Sequence, residues 1–199
     1  DGRVELERAV LQSQRVPSLS FLPAPMNCRV PPARTAVAEV IGTLRQSYDY
    51  VLIDSSAEES ETYGAFAAAA DDAVIVSLHQ SSSIRAAEKT ALCLDRYGFR
   101  NLRLIVNGYR AAAAASGLLP SLREIVDRST VRLLGVIPFD PLLQTDQEAG
   151  RITFDDFASR RARCYEAAFM NIANRITGRR VPLLKNVAYP VKRKKYLKA

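Results

Sequence analysis

Tryptophan is absent from the 199 residues, histidine occurs once (His79), and only three cysteines are present, Cys28, Cys93 and Cys164. The cysteines lie far apart and form no C-x-x-C pair, so no Cys/His cluster has metal-ligand spacing. They read as reduced, mostly buried residues of a cytoplasmic protein, with a single disulfide as the alternative. No Ser or Cys nucleophile signature accompanies His79, which reads as a solvent-facing or loosely packed loop residue outside catalysis. No apolar run approaches the ~20 residues of a membrane-spanning helix, and no signal peptide opens the chain. The first residues, D-G-R-V-E-L-E-R-A-V-L, begin without Met and already look like the inside of a fold. A missing N-terminal part is therefore expected.

What is present is ordinary for a globular domain: 48% hydrophobic and 25% charged residues. The length suits one domain with a tail and can bury a sizeable core. The net charge of +7 is unevenly placed. Residues 179–199 hold eight basic residues and no acidic ones, leaving 20 basic against 21 acidic in the body. The division is thus a body, 1–178, and a basic tail, 179–199. A neutral body argues against nucleic acid as a partner, and a basic tail argues for an anionic one.

Along the body, short apolar runs alternate with helical patterns. A short amphipathic helix is expected over Val4–Gln12 and a strand over Leu19–Leu22. A helix over Ala33–Gln46 follows, with Val37, Val40, Ile41 and Leu44 on one face. Tyr50–Ile53 reads as a buried strand, and Glu61–Ala70 as an alanine-rich helix suited to close packing on a sheet. Ala73–Leu78 is apolar enough to be covered on both faces. Ser81–Ser83 offer N-caps for a helix over Ile84–Tyr97, with Gly98 as its stop. Leu102–Asn107 and Val131–Ile137 read as strands. Leu118–Asp127, Pro141–Ala149 and Arg160–Thr177 read as helices. Such alternation is the mark of an α/β fold, a mostly parallel sheet with helices on both faces.

Ligands of open α/β sheets sit beyond the carboxyl ends of the strands. Two polar residues stand at such ends. Asp54 follows Tyr50–Ile53, where a carboxylate can hold Mg²⁺ beside a phosphate, directly or through water; it can equally cap the next helix. Asn107 ends Leu102–Asn107, and can either read a bound base or simply tolerate the turn before Gly108.

Five segments then fall in a shared order: Y-D-Y-V-L-I-D-S-S-A (48–57), A-D-D-A-V-I-V (70–76), S-S-S-I-R-A-A-E-K (81–89), L-I-V-N-G-Y-R (104–110) and L-L-G-V-I-P-F-D (133–140). Their order and spacing resemble the MinD/ParA group of deviant Walker P-loop ATPases, and within it the septum-site branch. The resemblance covers nearly the whole chain. It implies ATP and Mg²⁺ as cofactors, with Asp54 as the Walker B aspartate and Ser55, Ser56 and Glu58 in the switch region after it. It implies Asn107 as the adenine reader and Pro138, Phe139 and Asp140 as the loop closing over the base. It also implies that the helix bearing Arg85, Glu88 and Lys89 touches partner subunits, although those residues alone read as a solvated face. Ser56 and Glu58 depart from the family's D-S-P-A-G, placing an acidic side chain where a glycine amide faces the γ-phosphate.

The family's G-x-x-x-x-G-K-[ST] motif does not occur in the chain. Without it no backbone N–H cradle and no lysine reach the phosphates, so these residues alone are expected not to hydrolyse ATP. The resemblance implies a longer ATPase that dimerises around ATP, meets a regulatory or activating protein, and helps place the division site from the inner face of the cell membrane. Lys192, Arg193, Lys194, Lys195, Tyr196 and Leu197 stand where that family binds anionic membrane; Pro182 and Pro190 interrupt the helical pattern, and a disordered solubilising tail is the other reading. A partition or pilus- and flagellum-positioning ATPase of the ParA type is the alternative. A non-catalytic interaction module that has lost activity is another. With central strands missing, apolar sheet edges would be exposed and solubility poor.

Overall fold

The computed structural model describes residues 5–24, 30–99, 101–150 and 164–183. They fall into two units, Asp1–Ala70 and Asp71–Ala199.

The first unit is sparse. It holds α1 (Leu6–Ala9), β1 (Leu11–Gln12), β2 (Ser20–Phe21), α2 (Arg34–Leu44) and α3 (Glu61–Ala69). The expected helix over Val4–Gln12 is cut to one turn. Val10 takes an extended conformation (φ −80°, ψ 122°), and Leu11 and Gln12 pair antiparallel with Phe21 and Ser20. A short ladder with a β-branched residue at its entrance outcompetes the second helical turn. In α2, Val37 is buried and Val40, Ile41 and Leu44 are half-buried. Ser60 caps α3 by accepting the Tyr63 N–H at 3.1 Å. The alanines of α3 lead to α2 rather than to a sheet, and the Arg45 guanidinium donates to the Ala69 carbonyl at 3.3 Å.

The strand expected at Tyr50–Ile53 does not form. Its apolar residues keep a period of two, with Val51 and Ile53 half-buried between Tyr50 and Leu52, which are 57% and 85% exposed. A strand exists only by pairing, and among the described residues nothing pairs with this segment.

The second unit contains the sheet. Its elements are β3 (Ala73–Leu78), α4 (Ser81–Asp95), β4 (Leu102–Tyr109), α5 (Ala111–Ala115), α6 (Leu122–Ser129), β5 (Arg132–Pro138), α7 (Pro141–Glu148) and α8 (Cys164–Ile176). The strands run parallel in the order β3-β4-β5. In register, Ile75 and Ser77 stand beside Leu104 and Val106, while Val76 stands beside Ile105. Strand alternation therefore puts Ile75, Leu104 and Val106 on one face and Val74, Val76 and Ile105 on the other. Helix α4 packs on β3 from the first face. Helix α8 packs on β5 from the second, where Ile105, Leu134, Ile137, Tyr165, Ala168 and Ile172 form one cluster. The close approach of α8 depends on Gly135, because a Cβ there would collide with Ile172. The fold is thus α/β, with a parallel sheet flanked by helices.

Coverage of β3 is one-sided, against the expectation from its apolar sequence. Val74, Val76 and Leu78 are 43–62% exposed. They extend the face that α8 covers only at its β5 end. Three further boundaries differ. Helix α4 starts at Ser81, with Gln80 as an N-cap that makes no side-chain bond, so the serines fill its first turn. Strand β4 runs two residues past Asn107 through Gly108, which takes φ +67°. Helix α6 starts after Pro120, where Ser121 and Glu124 form a capping box. Arg160–Arg163, the start of the expected long helix, lie outside the described residues. So does the tail from Leu184, with Lys192, Arg193, Lys194, Lys195, Tyr196 and Leu197. Among the described residues no helix is long and apolar enough to cross a membrane.

Candidate functional site

Within the second unit, the carboxyl ends of β4 and β5 bring Asn107, Pro138 and Phe139 into one neighbourhood. Asn107 stands between Leu78 and Ile137, and Tyr109 pairs with Pro138. The register shifts between Asn107 and Tyr109, where left-handed Gly108 absorbs the turn. A Cβ on Gly108 would lie 4.0 Å from the Phe139 ring, so the Phe139 loop rests against the glycine. The Phe139 N–H donates to the Tyr109 carbonyl at 3.0 Å. Its ring is 45% exposed and carries the Arg110 guanidinium at 4.2 Å from its centre. Asp140 turns its carboxylate to the next helix, accepting the Leu142 N–H at 2.9 Å as the N-cap of α7. These residues give a half-open edge with an amide side chain, a planar ring and a stacked cation. That chemistry suits a flat heteroaromatic ligand.

His79 is not a solvent-facing or loosely packed residue: it is 3% exposed. Its Nδ1 accepts the Arg110 backbone N–H at 3.0 Å, and Nε2 lies 2.8 Å from the Pro120 carbonyl. An amide N–H can only donate and a carbonyl can only accept, so the ring is held as the Nε2–H tautomer. It also lies on Tyr109, with centroids 4.4 Å apart and planes tilted by 31°. A single histidine in a polar stretch gives no sign of burial, because the partners that bury it come from β4 and the loop before α6. Sequence reasoning placed Arg110 at this strand end but gave its side chain no part in the edge, where it lies on the Phe139 ring.

In the first unit, Asp54 and Ser55, Ser56 and Glu58 are all exposed. The Ser55 hydroxyl donates to the Ser56 carbonyl at 3.2 Å, and the cap of α3 is Ser60 rather than Asp54. Among the described residues no group of three His, Cys, Asp or Glu side chains could enclose a metal ion. Mg²⁺ beside a nucleotide needs no such cage, because one or two carboxylates with water and phosphate oxygens complete its shell. On α4, Arg85 and Lys89 are exposed and Glu88 is half-buried. Arg85 and Glu88 line an open hollow of about 220 Å³ with Arg128 of α6.

No family model matches the chain. Among curated proteins, the putative septum site-determining protein MinD of Emiliania huxleyi is 28% identical over 186 residues, 92% of this chain and 67% of its own. The septum site-determining protein MinD of Bacillus subtilis is 29% identical over 189 residues, 92% of this chain and 68% of its own. The chain thus spans about two-thirds of the length of these relatives. Among solved structures, the MinD cell division protein of Aquifex aeolicus superimposes with a TM-score of 0.81 at 28% identity, covering 93% of this chain and 75% of that one. The MinC:MinD cell division protein complex of the same organism gives 0.79 at 28% identity, covering 92% and 73%. MinD of Pyrococcus horikoshii, solved with Mg-ADP, gives 0.72 over 88% and 70%, a likeness of fold at 23% identity. In sequence and in fold, the chain is similar to the MinD/ParA group of P-loop ATPases, and within that group to MinD.

Proposed function

We propose that these residues are the part of a MinD-like ATPase that follows its phosphate-binding loop, acting in placement of the cell-division site. The body, 1–178, supplies the base-binding edge and the Mg²⁺-linked carboxylate, and residues 179–199 are a separate basic tail. Asn107 and the Pro138–Asp140 loop hold adenine, and Asp54 acts on the Mg²⁺ of bound ATP. Bound Mg²⁺ would neutralise charge between the β- and γ-phosphates. The observation that carries the reading is the edge itself. Asn107, Gly108 and Phe139 stand together at the carboxyl ends of parallel strands, the place where α/β sheets bind ligands.

The residues fit the base and the metal, but the phosphates require the G-x-x-x-x-G-K-[ST] motif that this chain lacks. ATP-dependent dimerisation of the whole protein follows from this reading. The MinC:MinD complex among its structural neighbours favours a protein partner. The basic tail favours reversible docking on anionic membrane, at the inner face of the cell membrane.

The test is equilibrium binding of a fluorescent ATP analogue with Mg²⁺, to the 199-residue chain and to the full-length protein. Expected are no binding by the chain at millimolar ligand and micromolar binding by the full-length protein, weakened by Asn107→Ala. Failure of the full-length protein to bind overturns the nucleotide reading. Micromolar binding by the chain alone, abolished by Asp54→Ala, overturns the requirement for an upstream phosphate loop.

A further inference from the structure

We infer that His79 is a positioning residue for the base-binding edge, through its grip on the Asn107–Arg110 segment. The inference rests on the nucleotide reading and goes beyond it, because neither the motifs nor the relatives assign His79 a role. His79 holds both ends of this four-residue segment. Its backbone N–H donates to the Asn107 carbonyl at 3.0 Å, and its Nδ1 accepts the Arg110 N–H at 3.0 Å. Between them lies Gly108 in the left-handed conformation, so the segment bends between the two bonds. The imidazole stacks on Tyr109 inside the bend.

Both consequences of that grip point at the ligand edge. The Tyr109 carbonyl is the acceptor for Phe139, and the Arg110 guanidinium lies on the Phe139 ring. The Asn107 end is thus held by the His79 backbone, and the Arg110 end, which carries the contacts to the Phe139 ring, by the buried His79 side chain. That side chain is itself aimed by the Pro120 carbonyl at 2.8 Å. Because Arg110 is the N-cap residue of α5 and brings no side-chain cap, Nδ1 is the only side-chain acceptor offered to its N–H among the described contacts.

The two ring nitrogens can be replaced one at a time. In His79→Asn the amide oxygen stands where Nδ1 was and keeps the Arg110 contact. In His79→Gln the amide nitrogen reaches the Nε2 position and keeps the Pro120 contact. Each variant loses one hydrogen bond and the ring contact with Tyr109, so a merely structural role predicts that both weaken binding alike.

The experiment measures dissociation constants of the full-length protein and both variants for Mg-ATP and for Mg-tripolyphosphate, which lacks the base. Thermal unfolding checks that each variant is folded. Expected is a loss of roughly tenfold in ATP affinity for His79→Gln with tripolyphosphate unchanged, as suits loss of one hydrogen bond from a part-buried donor. His79→Asn should stay within about twofold of the parent, since it keeps that bond. Equal losses in the two variants, equal losses for the two ligands, or no loss in either variant overturn the positioning role while ATP binding by the parent stands. A parent that binds no ATP overturns the nucleotide reading, and this inference with it.

Discussion

The two units of this chain use similar sequence material to opposite effect. Val51–Ile53 and Leu104–Val106 are both short apolar runs of strand-forming residues. In the second unit the run lies between two parallel neighbours, and Leu104 and Val106 are fully buried. In the first unit the run has no partner among the described residues, and Leu52 is 85% exposed. Composition decides that a segment can be a strand; a neighbouring strand decides that it is one. Among its described residues the first unit buries only Val37, Tyr63, Gly64 and Ala65, whereas the second has a core on each face of its sheet.

The largest expected difference is therefore in local stability. Amide hydrogen exchange by mass spectrometry should show Leu104–Val106 exchanging roughly a thousandfold or more slower than Val51–Ile53, since protection tracks buried, paired backbone. Equal protection in the two runs would break the comparison at its root. Next in size is a matched truncation. Leu104→Ala should cost about 2–5 kcal/mol in urea unfolding, through lost transfer energy and a cavity. Leu52→Ala should stay within about 0.5 kcal/mol, because the side chain is already in water.

Glycine gives a smaller contrast of opposite sign. Gly135→Ala forces a Cβ into Ile172 and should destabilise by about 1–3 kcal/mol as α8 is pushed off β5. Gly42→Ala has nothing within 4 Å and sits inside α2. It should stabilise by about 0.5–1 kcal/mol, by restricting the unfolded chain and favouring helix. Thermal melts of the two variants, read in opposite directions from the parent, check the pair.

These contrasts show what the sequence made legible. Ala73–Leu78 forms at its expected bounds, and β4, β5 and α7 lie within one or two residues of theirs, because each has a strong apolar pattern and a punctuating Gly, Pro or Asp. The alternation of elements was enough for the fold class. Three features depended on partners far along the chain and left no local trace. Tyr50–Ile53 has the right residues but no described neighbour. His79 is buried by contacts to Arg110 and Pro120, 31 and 41 residues away. Ala73–Leu78 looks doubly covered in sequence, yet α8 leaves Val74 and Val76 open. For the candidate site, Asn107 and Phe139 were legible from motif order. The buried histidine that joins their segments was not, since a single His among serines carries no periodicity.

The smallest expected effect separates the two helix caps. Ser60 starts α3 with Tyr63 at the third helical position, whereas Ser121 starts α6 with Glu124 there. The Glu124 carboxylate accepts the Ser121 backbone N–H at 2.7 Å and its hydroxyl at 2.8 Å. The backbone bond first, then the hydroxyl bond and the nearby Arg128 charge, hold the Glu124 carboxyl below its ordinary value. A carboxyl more acidic in the folded than in the unfolded chain adds stability above the unfolded pKa, and that increment fades as pH falls through the folded value. Helix α6 should thus loosen on the acid side, while the serine-only cap of α3 has no such step. Glu124→Gln keeps an acceptor oxygen and removes the titration, so the acid-dependent loosening of α6 should vanish while α6 still forms at neutral pH. Carboxyl-detected NMR titration reads the group directly. A Glu124 carboxyl titrating at or above the ordinary glutamate value would mean that the capping box contributes no pH dependence, and the two caps would then differ in geometry alone.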